Sequence, residues 1–162
     1  CPDDLASTYP DAVAEMFNIG VLHTSLTGST QHDPYAPTSP ETLIERGYDY
    51  WALGHIHQRS NPPIHENPHI VYSGNTQGRH INESGAKGCL LVTVADGEVA
   101  RLEFCETDTV RWQPVAVKLD ENDDVRALLE AVREQLEACR VQAENRLMAI
   151  RLTISGTCTR LT

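Results

Sequence analysis

The chain has 162 residues, of which 40% are hydrophobic, and carries a formal net charge of −10 at pH 7. This hydrophobic fraction supports a folded core and argues against disorder, and the length fits one domain or one and a fraction. The acidic balance argues against nonspecific binding of a polyanion across the whole surface, unless bound metal ions or a basic segment elsewhere supply local positive charge.

The N-terminal part predicts two buried strands that each lead into histidine. Residues 18–23 form a short apolar run ending at His23, and residues 48–53 form a second run followed by Gly-His-Ile-His at residues 54–57. Between them, the Ser-Pro-Glu triplet at residues 39–41 combines a capping hydroxyl, a proline and an acid. This order predicts a helix start, and a glycine a few residues later predicts its end.

The middle of the chain predicts a loop, a short strand and a hairpin. Residues 61–68 hold three prolines and therefore predict a loop. A short strand at residues 70–72 runs into a polar turn at residues 73–79. Two further strands, at residues 90–95 and 99–104, flank an Asp-Gly pair, which is a strong hairpin signal.

The composition changes near residue 110, and a β-α-β pattern follows. A strand is predicted at residues 110–119, then a long helix capped by Asn122 or Asp123, then a strand at residues 147–154. The predicted class is thus α/β in the broad sense that includes α+β, with a second domain opening in this region. The helix carries one apolar stripe at steps of three and four: Val125, Leu128, Leu129, Val132, Leu136 and Cys139.

The cysteine pattern and the first residue bear on the cellular compartment and on whether the sequence is part of a longer chain. Five cysteines lie far apart without CxxC pairing, which favours neither a disulfide framework nor a thiolate zinc site and indicates a reducing cytoplasm. Cys89, Cys105 and Cys139 are predicted to be small core residues. No apolar run approaches the roughly 20 residues of a membrane span, so no membrane association is predicted. The first residue is Cys1 rather than Met, which suggests a segment of a longer chain.

Histidines at the predicted strand ends are the main candidates for chemistry. Neutral imidazole binds zinc, manganese or iron. His55 and His57 are one residue apart, so on an extended chain their side chains point the same way. They could then reach two metals about 3.5–4 Å apart, with Gly54 permitting a close approach or a sharp turn of the backbone. The pattern alone is weak, and two ordinary loop histidines are the alternative.

His23 strengthens the metal hypothesis because it ends a separate strand. Ligands collect at the C-terminal ends of parallel strands in α/β sheets. Two strands that each deliver histidine to that edge are a better signal than either alone. The alternative for His23 is a hydrogen-bonded histidine at the edge of the core, and spacing does not decide between the two.

A second polar cluster contains Arg79, His80 and Glu83. Arg79 could contact a phosphate group. From the residues alone, an ion pair between Arg79 and Glu83 is the favoured interpretation.

Three segments in order resemble the later motifs of calcineurin-like metallophosphoesterases: VLHTS at residues 21–25, YDYWALGHIH at 48–57 and VYSGNTQGRH at 71–80. The likeness is greatest to DNA-repair exonucleases of the SbcD type, in particular the YhaO-like branch, and it covers about residues 18–94. It implies that residues 1–110 are the C-terminal portion of a catalytic β-sandwich with flanking helices. Residues 111–162 would begin an incomplete cap domain that contacts DNA.

The resemblance also implies the chemistry and the partners. His23 and His55 would bind one metal and His57 the other, with manganese as the usual ion. Metal-activated water would then attack a phosphodiester of DNA. Ser73, Gly74, Asn75, Arg79 and His80 would lie near the substrate. Such nucleases work with a coiled-coil ATPase of the SbcC type, and the intact protein is compatible with a homodimer.

The sequence departs from this family in its early motifs. Only 22 residues precede His23, and they contain no Asp-x-His, Gly-Asp or Gly-Asn-His. The carboxylate ligand, the amide ligand and the acid histidine are therefore missing, so this chain alone is predicted to be inactive and no catalytic acid or base is assigned. Two alternatives remain open: a phosphoesterase for nucleotides or small phosphate esters, and a non-catalytic binding or scaffold domain.

Overall fold

The computed structural model describes residues 1–27, 35–121 and 123–157. The chain folds as two compact units: Cys1–Thr76 with Gly88–Glu106, and Gln77–Lys87 with Thr107–Thr162. In the described residues, strands in three sheets and two α-helices confirm the predicted α+β class. Within the described residues, no helix has both the length and the apolar character needed to cross a membrane.

The first unit contains a four-stranded sheet. Its strands are β1 (Ile19–His23), β2 (Tyr50–Gly54), β3 (His65–Glu66) and β4 (His69–Tyr72), arranged in the order β1-β2-β4-β3. Strands β1, β2 and β4 are parallel, while β3 is antiparallel to β4. The three predicted strands are confirmed to within two residues. The prediction of a pure loop at residues 61–68 was wrong, because His65 and Glu66 pair with the start of β4.

Helix α1 (Pro40–Glu45) packs on this sheet through Leu43. The Ser39 side chain caps it by accepting the Thr42 backbone N–H at 3.1 Å. Gly47 follows with a φ of +72°, the left-handed conformation that glycine adopts without strain. The predicted start and end of the helix are both confirmed. Leu43 is fully buried and brings α1 into the hydrophobic core.

The core of the first unit is built around Trp51. Its side chain is fully buried, and its indole N–H donates to the Leu43 carbonyl oxygen at 3.0 Å. Gly20 is the register partner of Trp51 on the neighbouring strand β1. A Cβ atom at Gly20 would overlap the six-membered ring of Trp51, so the glycine provides the space that the indole fills.

The same unit contains the predicted hairpin. Strands β5 (Gly88–Ala95) and β6 (Glu98–Glu106) are antiparallel, and Asp96 and Gly97 both have positive φ values, 52° and 79°. This backbone matches the twist that a two-residue turn needs. The prediction that Cys89 and Cys105 are core residues was wrong, because Cys89 is exposed and Cys105 only half-buried on these strands.

The second unit is built on the predicted β-α-β pattern. Strands β7 (Val110–Leu119) and β8 (Leu147–Gly156) are parallel, and helix α2 (Val125–Gln142) connects them. The N-terminal cap of α2 is Asp124 and not the predicted Asp123, because the Asp124 side chain accepts the Ala127 N–H at 2.8 Å. The other candidate cap, Asn122, lies outside the described residues.

Only part of the predicted apolar stripe on α2 is covered. Cys139 is buried, and Leu128 and Val132 pack with it against β7 and β8. In contrast, Leu129 remains 60% exposed and Leu136 37% exposed. A sheet of two strands is narrower than this stripe, so the residues on its flank are left uncovered.

A buried charge cluster stabilises the second unit. The Nε and Nη2 atoms of Arg111 each donate to the Asp108 carboxylate at 2.9 Å. Arg146 donates to the Asp108 backbone oxygen at 3.1 Å. Burial opposes ionisation of Asp108, but the hydrogen bonds and the two positive charges outweigh it and lower the pKa of its carboxyl.

Replacing Asp108 with asparagine should destabilise the second unit by about 3 kcal/mol, because it leaves the buried Arg111 without a counter-charge. Urea unfolding monitored at neutral pH measures the change. The control is Glu137→Gln, which removes an exposed ion pair with Arg140 and should leave the midpoint nearly unchanged. Equal midpoints for wild type and Asp108→Asn would contradict the prediction.

The lowered pKa also fixes the direction of the pH dependence. In the unfolded chain an aspartate titrates near about 3.9, so the stabilisation by Asp108 is fully present above that pH. It is lost as the pH falls through the lower pKa of the folded state. The difference in stability between wild type and Asp108→Asn should therefore shrink below about pH 4.

Candidate functional site

The candidate site lies where three parallel strands of the first unit end. In the register of β1 and β2, His23 is opposite Gly54, and β4 ends beside β2 at Tyr72. The next residues along the chain are His55 after β2 and Ser73 after β4. The C-terminal edge of a parallel sheet is where such folds bind ligands, so this edge gathers most of the predicted site residues.

The structure brings His23 and His55 into direct contact. The distance between His55 Nδ1 and His23 Nε2 is 3.3 Å, and the two rings are nearly perpendicular at 76°. Gly54 makes this approach feasible, since a Cβ atom there would lie only 3.1 Å from His23 Nδ1. Thus Gly54 acts mainly through the space that it leaves for the His23 ring.

The backbone that leads to His57 differs from the extended chain that the sequence suggested. The chain is not extended at His55, whose φ is +98°, so the alternation that was expected to align His55 with His57 is broken. Ile56 packs against the hydrophobic core instead. In the described ranges, no three side chains of His, Cys, Asp or Glu come together in a group that could hold a metal ion.

The turn after β4 packs against the backbone that carries His57. The Asn75 N–H donates to the His57 carbonyl oxygen at 3.2 Å. Gly74 has a φ of +79°, and a Cβ atom there would lie 2.9 Å from the Arg59 nitrogen and 3.0 Å from the His57 oxygen. Any side chain at position 74 would push this turn away from residues 57–59. Ser73, Gly74 and Asn75 therefore lie next to the histidine segment, and their role in substrate binding stays a prediction.

Arg79 and His80 belong to the second unit, where Glu83 organises them. The largely buried Glu83 carboxylate accepts the Arg79 backbone N–H at 2.8 Å and lies 3.3 Å from Arg79 Nη2. His80 Nε2 is 3.7 Å from the same carboxylate. The ion pair favoured from the residues alone is present. A phosphate contact by Arg79 or His80 stays a prediction.

Sequence reasoning missed Tyr35. Its ring stacks on the His55 ring at a centroid distance of 5.9 Å and 21°, and meets the His23 ring edge-on at 5.2 Å and 89°. Twenty residues separate Tyr35 from His55, so no local pattern links them. The available signal was that Tyr35 is the one Phe, Tyr or Trp residue in the polar stretch from residue 24 to residue 40.

The geometry of the histidine pair fits a transition metal. Two imidazole nitrogens bound at about 2.0–2.1 Å to one tetrahedral ion lie about 3.3 Å apart, and the pair shows a distance of 3.3 Å. Two neutral nitrogens supply part of a ligand set but no negative charge. The described residues thus offer half of one metal site, to be completed by other ligands.

Two sequence comparisons bear on this site. A family described as metallophosphoesterase YhaO, middle domain, matches residues 112–160. The chain is also 39% identical, over 155 residues, to an uncharacterized metallophosphoesterase YhaO of Bacillus subtilis (strain 168). That alignment covers 96% of this chain but 37% of the relative, so the chain spans little more than a third of the relative's length. Both matches support the metallophosphoesterase family.

Proposed function

We propose, from the similarity of this chain to metallophosphoesterases, that the intact protein is a metal-dependent phosphodiesterase that cleaves DNA. The observation that carries the proposal is the 3.3 Å contact between His23 and His55 at the C-terminal edge of a parallel sheet. Manganese is the proposed ion, and a coiled-coil ATPase of the SbcC type is the proposed partner in the cytoplasm. These finer assignments rest on the motifs at residues 21–25, 48–57 and 71–80.

In this proposal the residues of the chain hold and orient the metal site. His23 and His55 would each donate a ring nitrogen to one ion, and His57 would donate to a second ion. A divalent ion at such a site polarises a phosphoryl oxygen and lowers the pKa of water. An imidazole binds a metal ion through a nitrogen that carries no proton, so protons compete with the metal. Metal affinity should therefore rise with pH.

The surrounding backbone would keep the histidines in place. Gly54 permits the close approach of His23, and His55 follows Gly54 with a positive φ. The hydrogen bond from Asn75 to the His57 carbonyl oxygen ties the third histidine to the turn after β4. A substrate phosphate that reaches the ions would pass this Ser73–Asn75 turn, which Gly74 allows to pack closely against residues 57–59.

The proposal is tested with the full-length protein and manganese. Hydrolysis of linear DNA is compared with hydrolysis of p-nitrophenyl phosphate and of free nucleotides, each with and without EDTA. We expect manganese-dependent release of nucleotides from DNA that EDTA abolishes. Cleavage of monoesters or nucleotides without cleavage of DNA would favour the small-substrate alternative. No hydrolysis of any substrate with manganese, zinc, cobalt or iron would favour a scaffold domain.

A further inference from the structure

Tyr35 contacts both members of the histidine pair, and the proposed function gives it no role. Its ring touches both imidazoles, stacking on His55 and meeting His23 edge-on. It does so although 42% of the residue is exposed, so burial of apolar surface alone does not account for its position. His23 is itself exposed, and an exposed histidine ring is free to change rotamer unless a neighbour restrains it.

The backbone holds Tyr35 in this position. The Ser25 N–H donates to the Tyr35 carbonyl oxygen at 2.8 Å, and the Tyr35 N–H donates to Ser25 Oγ at 3.0 Å. One residue further on, Ala36 is fully buried and its carbonyl oxygen accepts the hydroxyl of the buried Thr24 at 2.7 Å. Residues 24 and 25 directly follow His23, so these bonds fix the tyrosine to the end of the strand that carries one of the two histidines.

The neighbouring packing makes this anchor rigid. The Tyr72 hydroxyl donates to the Thr24 carbonyl oxygen at 2.9 Å and accepts the Leu26 N–H at 3.2 Å. Tyr72 is itself a core residue and ends β4. The segment after β1 is therefore tied to the core on one side and to Tyr35 on the other. An aromatic ring on such a support restricts the rings that pack against it.

We propose that Tyr35 is a positioning residue that holds His23 and His55 in the mutual orientation required to bind one metal ion. The inference rests on the proposed function, because it takes these two histidines as ligands of one ion. The tyrosine acts through its ring, since ring contacts join it to both histidines. Residues that orient metal ligands typically change metal affinity by about 10- to 100-fold when they are replaced.

The test uses Co²⁺ as the probe, because histidine sites favour the later first-row metals and Co²⁺ binding is visible by absorption. Affinity is measured for the 162-residue chain as wild type, Tyr35→Phe and Tyr35→Leu. We expect Tyr35→Phe to bind like wild type and Tyr35→Leu to bind at least about 10-fold more weakly. Equal affinities of wild type and Tyr35→Leu would overturn the inference, as would a loss in Tyr35→Phe as large as that in Tyr35→Leu.

A second measurement without metal separates this inference from the proposed function. The ring-proton NMR shifts of His23 and His55 report the aromatic ring stacked beside them. Relative to wild type, these chemical shifts should change in Tyr35→Leu and remain the same in Tyr35→Phe. The ring-proton shifts of His65 should remain the same in both variants. Unchanged shifts in Tyr35→Leu would overturn the positioning role. A different outcome is that the His23 and His55 shifts depend on Tyr35 as expected, but the wild-type chain binds Co²⁺ no better than a His23→Ala, His55→Ala double variant. That outcome would contradict the assignment of these histidines as ligands, and with it both the metal-positioning role and the proposed function.

Discussion

Replacing His55 with alanine in the full-length protein should lower manganese-dependent turnover on DNA by at least about 100-fold. Even residues that only support a metal ligand typically change metal affinity or activity by about 10- to 100-fold when they are replaced. His23→Ala and His57→Ala should have effects of the same order. Each substitution removes one nitrogen from an ion whose position matters most in the transition state. DNA affinity should therefore change far less than turnover. Both quantities are measured on the same preparations, with manganese held at a fixed concentration.

The matched control for these variants is His65→Ala. His65 lies in β3, at the opposite end of the strand order from β1, and its ring contacts the local backbone of Asn67 and Pro68. Its replacement should leave turnover and DNA affinity near wild type. Near-normal turnover in any one of the three site variants would show that this histidine is wrongly assigned. Near-normal turnover in all three would remove the basis for a two-metal mechanism.

The second large effect concerns stability rather than chemistry. Gly20→Ala should destabilise the first unit by about 3 kcal/mol, the upper part of the range for overpacking a close-packed core. The added methyl group would meet the ring of Trp51, which is fully buried and held by its hydrogen bond to Leu43. Urea unfolding followed by circular dichroism measures the loss.

Two further variants separate overpacking from other causes. Ile19→Ala changes the preceding residue of β1, whose side chain is 57% exposed, and should cost much less than Gly20→Ala. In a Trp51→Leu background the added methyl group has room, so Gly20→Ala should then cost little. Such a difference between backgrounds is the coupling expected of residues in contact. Additive effects of Gly20→Ala and Trp51→Leu would mean that the methyl group acts by another route.

Local patterns predicted most of the elements because the responsible interactions are local. The Ser39 cap, the Asp96-Gly97 turn and the apolar runs of β1 and β2 depend on residues within a few positions of one another. The helix cap at Asp124 was misplaced by one residue, since consecutive acidic residues offer equivalent side chains. Strand β3 was missed because its pairing depends on β4 and its two residues carry no pattern of their own.

The candidate site was less predictable because its geometry depends on the fold. The sequence motifs indicated His23 and His55 as neighbours, and the parallel register of β1 and β2 brings them together. His55 has a positive φ in the turn after β2. The alternation of side chains along an extended strand does not predict such a turn. Tyr35 reaches His55 only because the chain after β1 returns to the strand ends. A contact of this kind has no signature in spacing.

The two tryptophans of the chain fall one in each compact unit. Trp51 is fully buried in the first. Trp112 is half-buried in the second, and its indole N–H donates to the Gly78 carbonyl oxygen at 3.0 Å. Each unit therefore has its own intrinsic fluorophore in its own environment. With Trp51→Phe or Trp112→Phe, emission reports one unit at a time, so a single denaturation series can distinguish whether the units melt as one cooperative species or in two separate steps.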